Sequence, residues 1–546
     1  MMRLEHLPAD VLELTPLARA ALSGGLARTR VVLPRRTDEL PQPPEHLEPA
    51  DRAALVLALQ SGLAPLTPHV AVLDAVRQLG QAGTFAVVTG QQPGLCASPL
   101  YSLYKAVHAV RLARRLSEAW ERPVVALFWN HADDHDVAEV HHLNVLNKNL
   151  DLQKIGLAGM SSGRLMMSQL ALDDDKHRLG ALRGSLAELV RDLPHGERAL
   201  EVCVPRHGET LARAFTRAFT ELLGPLGLVV LEPDWIRPAL SAQLARIVAL
   251  EPASAIARGA ENVRALGFEP AIEPANAALV FAIDARGRRA LRSGGDGWKY
   301  DDEPGSRTSA ELAAEIVQAP LAWSPGALLR PLVQDLTLPV AAYIGGYGEL
   351  AYHVELPELR ALVGAPQTPF VPRVSLTLVE PEVRRSLAKL DVPLGAVLRA
   401  RGAFTGPVAN TPPPAVLAEI TRARENAQRE LGALREPLEQ LDPTLGALLK
   451  RTQEQVKHAF ESLGEKTERV HQNKSGKGKR EERRLNNALF PRGEPQERVL
   501  APLHFVARFG EDWIRELAIE LEPFGGEHLA LHLGDDLGEE PAEPAR

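Results

Sequence analysis

Residues 87–110 read VVTGQQPGLCASPLYSLYKAVHAV. Phe85–Val88 is a short apolar run, and Thr89–Gly94 follows as a glycine-rich turn. From there Leu100, Leu103, Val107 and Val110 recur at the spacing of one helical stripe. Ser98-Pro99 predicts the helix start, a hydroxyl cap with proline at the first helical position. Pro123–Trp129 (PVVALFW) is a second apolar run. Strand, helix and strand, with both strands apolar throughout, predict a βαβ unit in a parallel sheet covered on both faces.

The pattern continues outward from this unit. Gly227–Leu231, Ala278–Ile283 and Pro339–Ile344 read as further strands, and Val371–Leu378 as an apolar run near the end of this pattern. Strands alternating with helices predict an α/β, doubly wound sheet. Upstream, Leu55, Leu59, Leu63 and Val72, Val76, Leu79 fall at helical spacing. Residues 150–225 are helical in pattern, an insertion that decorates the sheet. Residues 406–414 (GPVANTPPP) read as a linker. Beyond them, apolar positions from Leu417 to Leu441 and from Leu445 to Val470 recur at near-heptad spacing about a turn at Asp442-Pro443. That predicts an antiparallel coiled coil. The expected domains are a core over 1–380, a linker and coiled coil over 381–485, and a segment over 486–546 that packs back on the core.

Composition narrows the function classes. The chain has 546 residues, 45% of them hydrophobic, and a net charge of −8, which argues against nucleic acid as a partner. Two cysteines, Cys96 and Cys203, suit a reducing compartment. No long apolar run or leader pattern is present, so a cytoplasmic protein with no membrane span is expected.

In an open parallel sheet, ligands bind beyond the carboxyl ends of the strands. Three segments sit at such ends. In the first, Thr89-Gly90-Gln91-Gln92-Pro93-Gly94, the glycines allow close backbone approach and the glutamines offer donors and acceptors. The amides of the following helix favour an anion, which Lys105 could also reach. The second, Trp129-Asn130-His131-Ala132-Asp133-Asp134-His135-Asp136, crowds acids and imidazoles together. Asp134 or His135 suits a general base. The plain alternative is a solvated acidic loop. His131-Ala132-Asp133-Asp134 is also similar to the HPDD motif of zinc-dependent N-deacetylases, which gives a rival enzyme reading. The third is Gly345-Gly346-Tyr347-Gly348-Glu349, preceded by Arg330, Gln334 and Asp335 and followed by Arg373. Arg330 and Arg373 suit carboxylate or phosphate, or else structural ion pairs, Arg330 with Asp335 for example.

Taken in order, TGQQPGL, SPLYSLYKA, VVALFWNHADDHDVAEVHHL, LLRPLVQDLTLPVAAYIGGYGELAYH, PFVPRVSLTL and LFPRGEPQERVLAPLHF resemble the BshC family, the cysteine-adding enzymes of bacillithiol biosynthesis. The resemblance implies a Rossmann-like core similar to class I aminoacyl-tRNA synthetases, with helical connecting-peptide insertions and a coiled coil that mediates homodimerisation. It implies ligation of L-cysteine to glucosaminyl malate, and a nucleotide such as ATP with magnesium. By this likeness Asp134, His135 and Asp136 are catalytic. Thr89, Gly90, Gln91, Gln92, Gly94, Lys105, Trp129, Arg330, Gln334, Asp335, Gly345, Gly346, Glu349 and Arg373 bind substrate or nucleotide, and no metal site is assigned. Asn130-His131-Ala132, Asp133 and Cys96-Ala97-Ser98 depart from the family pattern. A scaffold or sensor that binds without turnover is the non-enzyme alternative.

Overall fold

The computed structural model describes residues 2–534 apart from 27–28, 43–50, 158–159, 161–162, 173–175, 295–296, 301–304, 407–414 and 473–476. Most of the expected 406–414 linker lies outside the described residues. Two compact units are present: residues 1–381 with 494–546, and residues 382–493.

The first unit is built on a five-stranded parallel sheet. Its strands are β1 (Phe85–Gln91), β2 (Val124–Asn130), β3 (Val229–Leu231), β4 (Val340–Gly345) and β5 (Phe370–Pro372), in the spatial order β5-β4-β1-β2-β3. That is the doubly wound order, and its direction reverses between β1 and β4. Helix α1 (Leu100–Trp120) crosses from β1 to β2. Helix α2 (Arg330–Thr337) leads into β4, and the short helix α3 (Tyr347–His353) leaves it.

The β1–α1 connection differs from expectation. β1 runs on through Gly90 and Gln91, which pair with Trp129 and Asn130, so the turn begins only at Gln92. Ser98 caps nothing: the helix begins at Leu100, with Pro99 in the cap position. Leu100 N–H instead donates to Leu500 O at 2.9 Å. A backbone acceptor from the far end of the chain therefore takes the role given to the hydroxyl. Nor does α1 bury a single stripe. Ser102, Lys105 and His108 are buried along with the leucines, because β1 and β2 cover one side and the 494–534 segment the other. His108 bonds Pro523 O at 2.9 Å, and Arg111 donates to Leu521 O at 2.8 Å. Below β2, Phe128, Phe215 and Phe219 stack with ring centroids 4.2–5.7 Å apart, a geometry that adds to the stabilisation from burying their area.

The run at Ala278–Ile283 does not join the parallel sheet. Val280–Asp284 pairs antiparallel with Gly287–Gly294 across a two-residue turn, in a separate sheet completed by Gly297–Tyr300 and Trp323–Pro325. A turn that short only permits an antiparallel neighbour. The run at Val371–Leu378 splits between two sheets, because Ser375–Val379 pairs with His528–His532. The same His528–His532 strand also pairs with Arg3–Leu7, so an N-terminal region read as helical opens on a strand. Residues 150–225 hold the second strand of a hairpin, His142–Leu146 with Leu152–Gly156, and then helices Lys176–Val190, Gly196–Cys203 and Leu211–Leu223. Helices Arg52–Leu63 and Val70–Leu79 bury the leucines and valines expected of them.

In the second unit, helices Ala415–Ala433 and Arg435–Leu441 turn at Asp442-Pro443 and pack along Leu445–Gln472. No helix among the described residues is long and apolar enough to cross a membrane.

Candidate active site

The carboxyl ends of β1, β2 and β4 carry the three loops singled out in the sequence, at the reversal point of the sheet. Glycines make this possible by letting the protein pack against itself. A Cβ on Gly90 would lie 2.6 Å from Trp129 O and 2.8 Å from His131 Nε2. One on Gly94 would lie 1.9 Å from Ser98 O, and one on Gly345 would strike the Phe370 ring. Trp129 is buried beneath the site, and Thr89 Oγ1 donates to Ile344 O at 2.8 Å, tying β1 to β4.

Lys105 is 1% exposed and has no donor left for a ligand. Its Nζ donates to Gly90 O at 2.8 Å, to Gln91 Oε1 at 3.0 Å and to Glu349 Oε2. Glu349 also accepts from Tyr343 Oη at 2.6 Å and Gly346 N–H at 2.8 Å. Burial would raise the Glu349 carboxyl, but Lys105 and these donors outweigh it and hold the group below its usual range. Gln91, Lys105, Gly346 and Glu349 thus form one internal buttress across β1, α1 and α3. Asp335 is likewise committed, to Arg360 and to Thr368 Oγ1 at 2.7 Å, and not to Arg330. Arg373 pairs with Glu497 at 2.7 Å. Gln334 is buried between Arg330 and Asp335.

What remains open converges on the loop after β2. Gln92 Nε2 donates to Asp134 Oδ2 at 2.6 Å. Asp134 Oδ1 accepts from the amides of His135, at 2.6 Å, and Asp136, at 3.2 Å, and lies 3.9 Å from His135 Nδ1. Asp136 itself is exposed at the start of the short helix Val137–Val140. Arg330 donates to Gln334 Oε1 at 3.2 Å and Tyr352 Oη at 2.9 Å and meets no carboxylate of the described chain. Its hydrogen-bond partners are neutral, while the Glu349 carboxylate nearby favours its charge.

Three residues join the site without having been assigned to it. His131 Nε2 is shielded from solvent and has no hydrogen-bond partner. Burial, reinforced by Arg330 and Lys105, pushes its imidazole well below the usual range, so it is neutral. Arg237 clasps Asp133 through both carboxylate oxygens, one at 2.6 Å. Burial raises the Asp133 carboxyl, but Arg237 more than reverses this. Arg288, on the antiparallel sheet, lies with its guanidinium carbon 3.8 Å from the centre of the Phe281 ring, whose centroid is 6.3 Å from that of His135. Arg237 had a signal in the sequence, since it follows the end of β3. Arg288 had none, because its strand, Gly287–Gly294, lies in what the sequence reads as a charged turn after Ala278–Ile283.

The Arg237 clasp bears on the deacetylase reading. Asp133 would have to serve as that enzyme's base, and it is already held in an ion pair. Among the described residues no three histidine, cysteine or acidic side chains are gathered as a metal would require. Both cysteines are buried free thiols, and burial pushes Cys203 up to about 12 and Cys96 well above its usual range. A cavity of about 480 Å³ opens on the other side of Gly345-Gly346, lined in part by Arg35, Arg373, Arg498 and Phe524. It includes neither Asp134 nor Arg330.

The comparisons with known proteins agree along the chain. The N-terminal Rossmann-like domain of bacillithiol biosynthesis BshC matches residues 35–374, and the C-terminal coiled-coil domain of the same family matches residues 376–533. Proteins named "Putative cysteine ligase BshC" from Heliobacterium modesticaldum, Koribacter versatilis and Thermus thermophilus are 32%, 31% and 34% identical over 346, 414 and 393 residues. The matched stretches cover 60%, 72% and 69% of this chain and 62%, 73% and 74% of those proteins. With both domain matches falling in order along one chain, this protein belongs to the BshC family of bacillithiol biosynthesis.

Proposed function

We propose that the chain is a ligase that joins the carboxyl of L-cysteine to the amine of glucosaminyl malate, forming bacillithiol in the last step of its synthesis. The observation that carries this reading is Arg330, a guanidinium fixed beside an acid–imidazole loop with no carboxylate of its own. It suits a carboxylate of the malyl group or of cysteine. The glucosamine amine must lose a proton to attack, so a base within reach is required. His135 takes that role, with Asp134 orienting it and Gln92 fixing Asp134. The neutral His131 stands at the start of the same loop, its Nε2 buried beside Gly90.

A carboxylate must be activated before an amine displaces its oxygen. The likeness to class I aminoacyl-tRNA synthetases implies that a nucleotide such as ATP, with magnesium, supplies this. The first βα turn does not fit its phosphates. Gly94 packs against Ser98 O, and the leading amide of α1 is given to Leu500 O. The residues assigned here therefore act on the amine and the carboxylates alone. The proposal extends to a cytoplasmic homodimer formed through the 415–472 hairpin, whose Leu434, Leu441, Leu448 and Leu463 are exposed.

The test is incubation of the purified protein with L-cysteine and glucosaminyl malate, with and without Mg-ATP, followed by mass spectrometry. Bacillithiol is the expected product, with AMP indicating an acyl-adenylate and ADP an acyl-phosphate. Tight binding of glucosaminyl malate without bacillithiol in any mixture would favour the scaffold or sensor reading instead.

A further inference from the structure

Three successive residues of the loop after β2 are gripped by three different parts of the fold. Gln92 Nε2 holds Asp134 Oδ2 at 2.6 Å, and the Phe281 ring stands 6.3 Å from the His135 ring, centroid to centroid. Asp133 is held most firmly. Arg237 Nη1 donates to its Oδ2 at 2.6 Å and Nη2 to its Oδ1, and these are the side-chain hydrogen bonds that Asp133 makes. Arg288 also favours the charge on Asp133, but gives its own hydrogen bonds to Ser324 Oγ and Pro325 O. A bidentate fork fixes orientation as well as place, which a single hydrogen bond or a ring contact does not.

Arg237 is mounted on rigid structure. It is 2% exposed and opens the helix Arg237–Ala249, which follows β3 through the turn Pro233–Ile236. Leu240, Leu244, Ile247 and Val248 bury that helix in the core, and Ser241 Oγ donates to Pro320 O at 2.5 Å. The backbone of the loop is tied on either side of Asp133. Ser168 N–H donates to Ala132 O at 3.0 Å, and Met167 N–H donates to Asp134 O at 2.8 Å. Those bonds fix two carbonyls, and the clasp fixes the side chain between them. A carboxylate deprived of its partner in a largely buried place is driven towards water. Asp133 can move there only by carrying the peptide that bears Asp134. Asp134 Oδ1 in turn caps the amides of His135, at 2.6 Å, and Asp136, at 3.2 Å, so its displacement releases both.

We propose that Arg237 is a positioning residue for the ligation: its clasp on Asp133 sets the loop that presents Asp134 and His135 to the amine. The reaction named here rests on the ligase reading; the hold on the loop does not.

The experiment compares the full chain as wild type, Arg237→Gln and Arg237→Lys with Arg217→Gln. Arg217 is also 2% exposed and donates to Glu209 Oε1 at 2.6 Å, but it bonds nothing in this loop. Two quantities are read: kcat and KM for glucosaminyl malate, and hydrogen exchange of the amides of residues 131–137 by mass spectrometry. Arg237→Gln should lower kcat about thirtyfold with KM within about threefold, because a displaced acting group weakens the reacting state more than substrate binding. Exchange in 131–137 should quicken about tenfold while that of β1 holds. Arg237→Lys should fall between, since an ammonium lacks the fork. Arg217→Gln should lower the melting temperature yet leave kcat and exchange in 131–137 near their wild-type values. The proposal is overturned if Arg237→Gln keeps kcat within about twofold of wild type, or if Arg217→Gln slows turnover as much. Arg237→Lys, which keeps the charge, decides by the same criteria if the glutamine variant does not fold. Wild-type protein that makes no bacillithiol sinks the ligase reading, and quickened exchange in Arg237→Gln then still upholds the clasp. Unchanged exchange in 131–137 overturns it in either case.

Discussion

Lys105 shows how one side chain's role is decided by what surrounds it. Its place on a helix after a glycine turn was legible, but its commitment to Glu349 was not, since 244 residues separate the two. Removing one member of a buried pair strands the other. Lys105→Met should therefore cost roughly 3–5 kcal/mol in urea unfolding, and Lys105→Met with Glu349→Gln should cost clearly less than the two changes summed. At the loop after β2, Asp134→Asn and His135→Asn should each lower kcat about a hundredfold or more, while Asp136→Asn, on an exposed side chain, should leave it within about twofold. Glu232, buried just past β3, gives a pH signature. Burial raises its carboxyl to about 7, partly opposed by Arg213. A raised carboxyl favours folding while it stays protonated, and that contribution is lost as pH climbs from about 4.5 through 7. Glu232→Gln should therefore gain on the wild type across that window, by up to about 3 kcal/mol at pH 8, read from melting curves at several pH values.

At the scale of elements, period and apolar runs recovered the strands of the parallel sheet, the helix between the first two and the helical hairpin. They failed where an element's end is set by a distant partner. β1 continued past its apolar run because Trp129 and Asn130 offer a ladder to Gly90 and Gln91. Helix α1 began one residue late because Leu500, not Ser98, supplies its first acceptor. Val280–Asp284 was recognisable as a strand, but its sheet was decided by the turn after it. The turn between β1 and α1 tolerates little change. Gly94→Ala would drive a methyl group into Ser98 O and should destabilise the protein by about 2–4 kcal/mol, measured by denaturant titration. On the hairpin, paired Leu434→Asp and Leu448→Asp changes should shift sedimentation from the proposed dimer towards the 59.3 kDa chain while leaving helical content nearly unchanged.

Across the whole molecule, the first unit is discontinuous in sequence. Residues 494–534 belong to it. Their membership rests on links such as Arg373 with Glu497, and on the strand His528–His532 lying between Arg3–Leu7 and Ser375–Val379. That central strand pairs with one made about 520 residues earlier, about which synthesis has something to say. The first strand leaves the ribosome long before its partner exists. At about 5–20 residues per second the interval is roughly 30 to 100 s, during which an open strand edge waits in a crowded cell. The βαβ core can assemble while translation continues, but the three-stranded sheet cannot close until His528–His532 has been made. A strand made early is thus held open for one made late, and His528–His532 completes the packing of Arg3–Leu7.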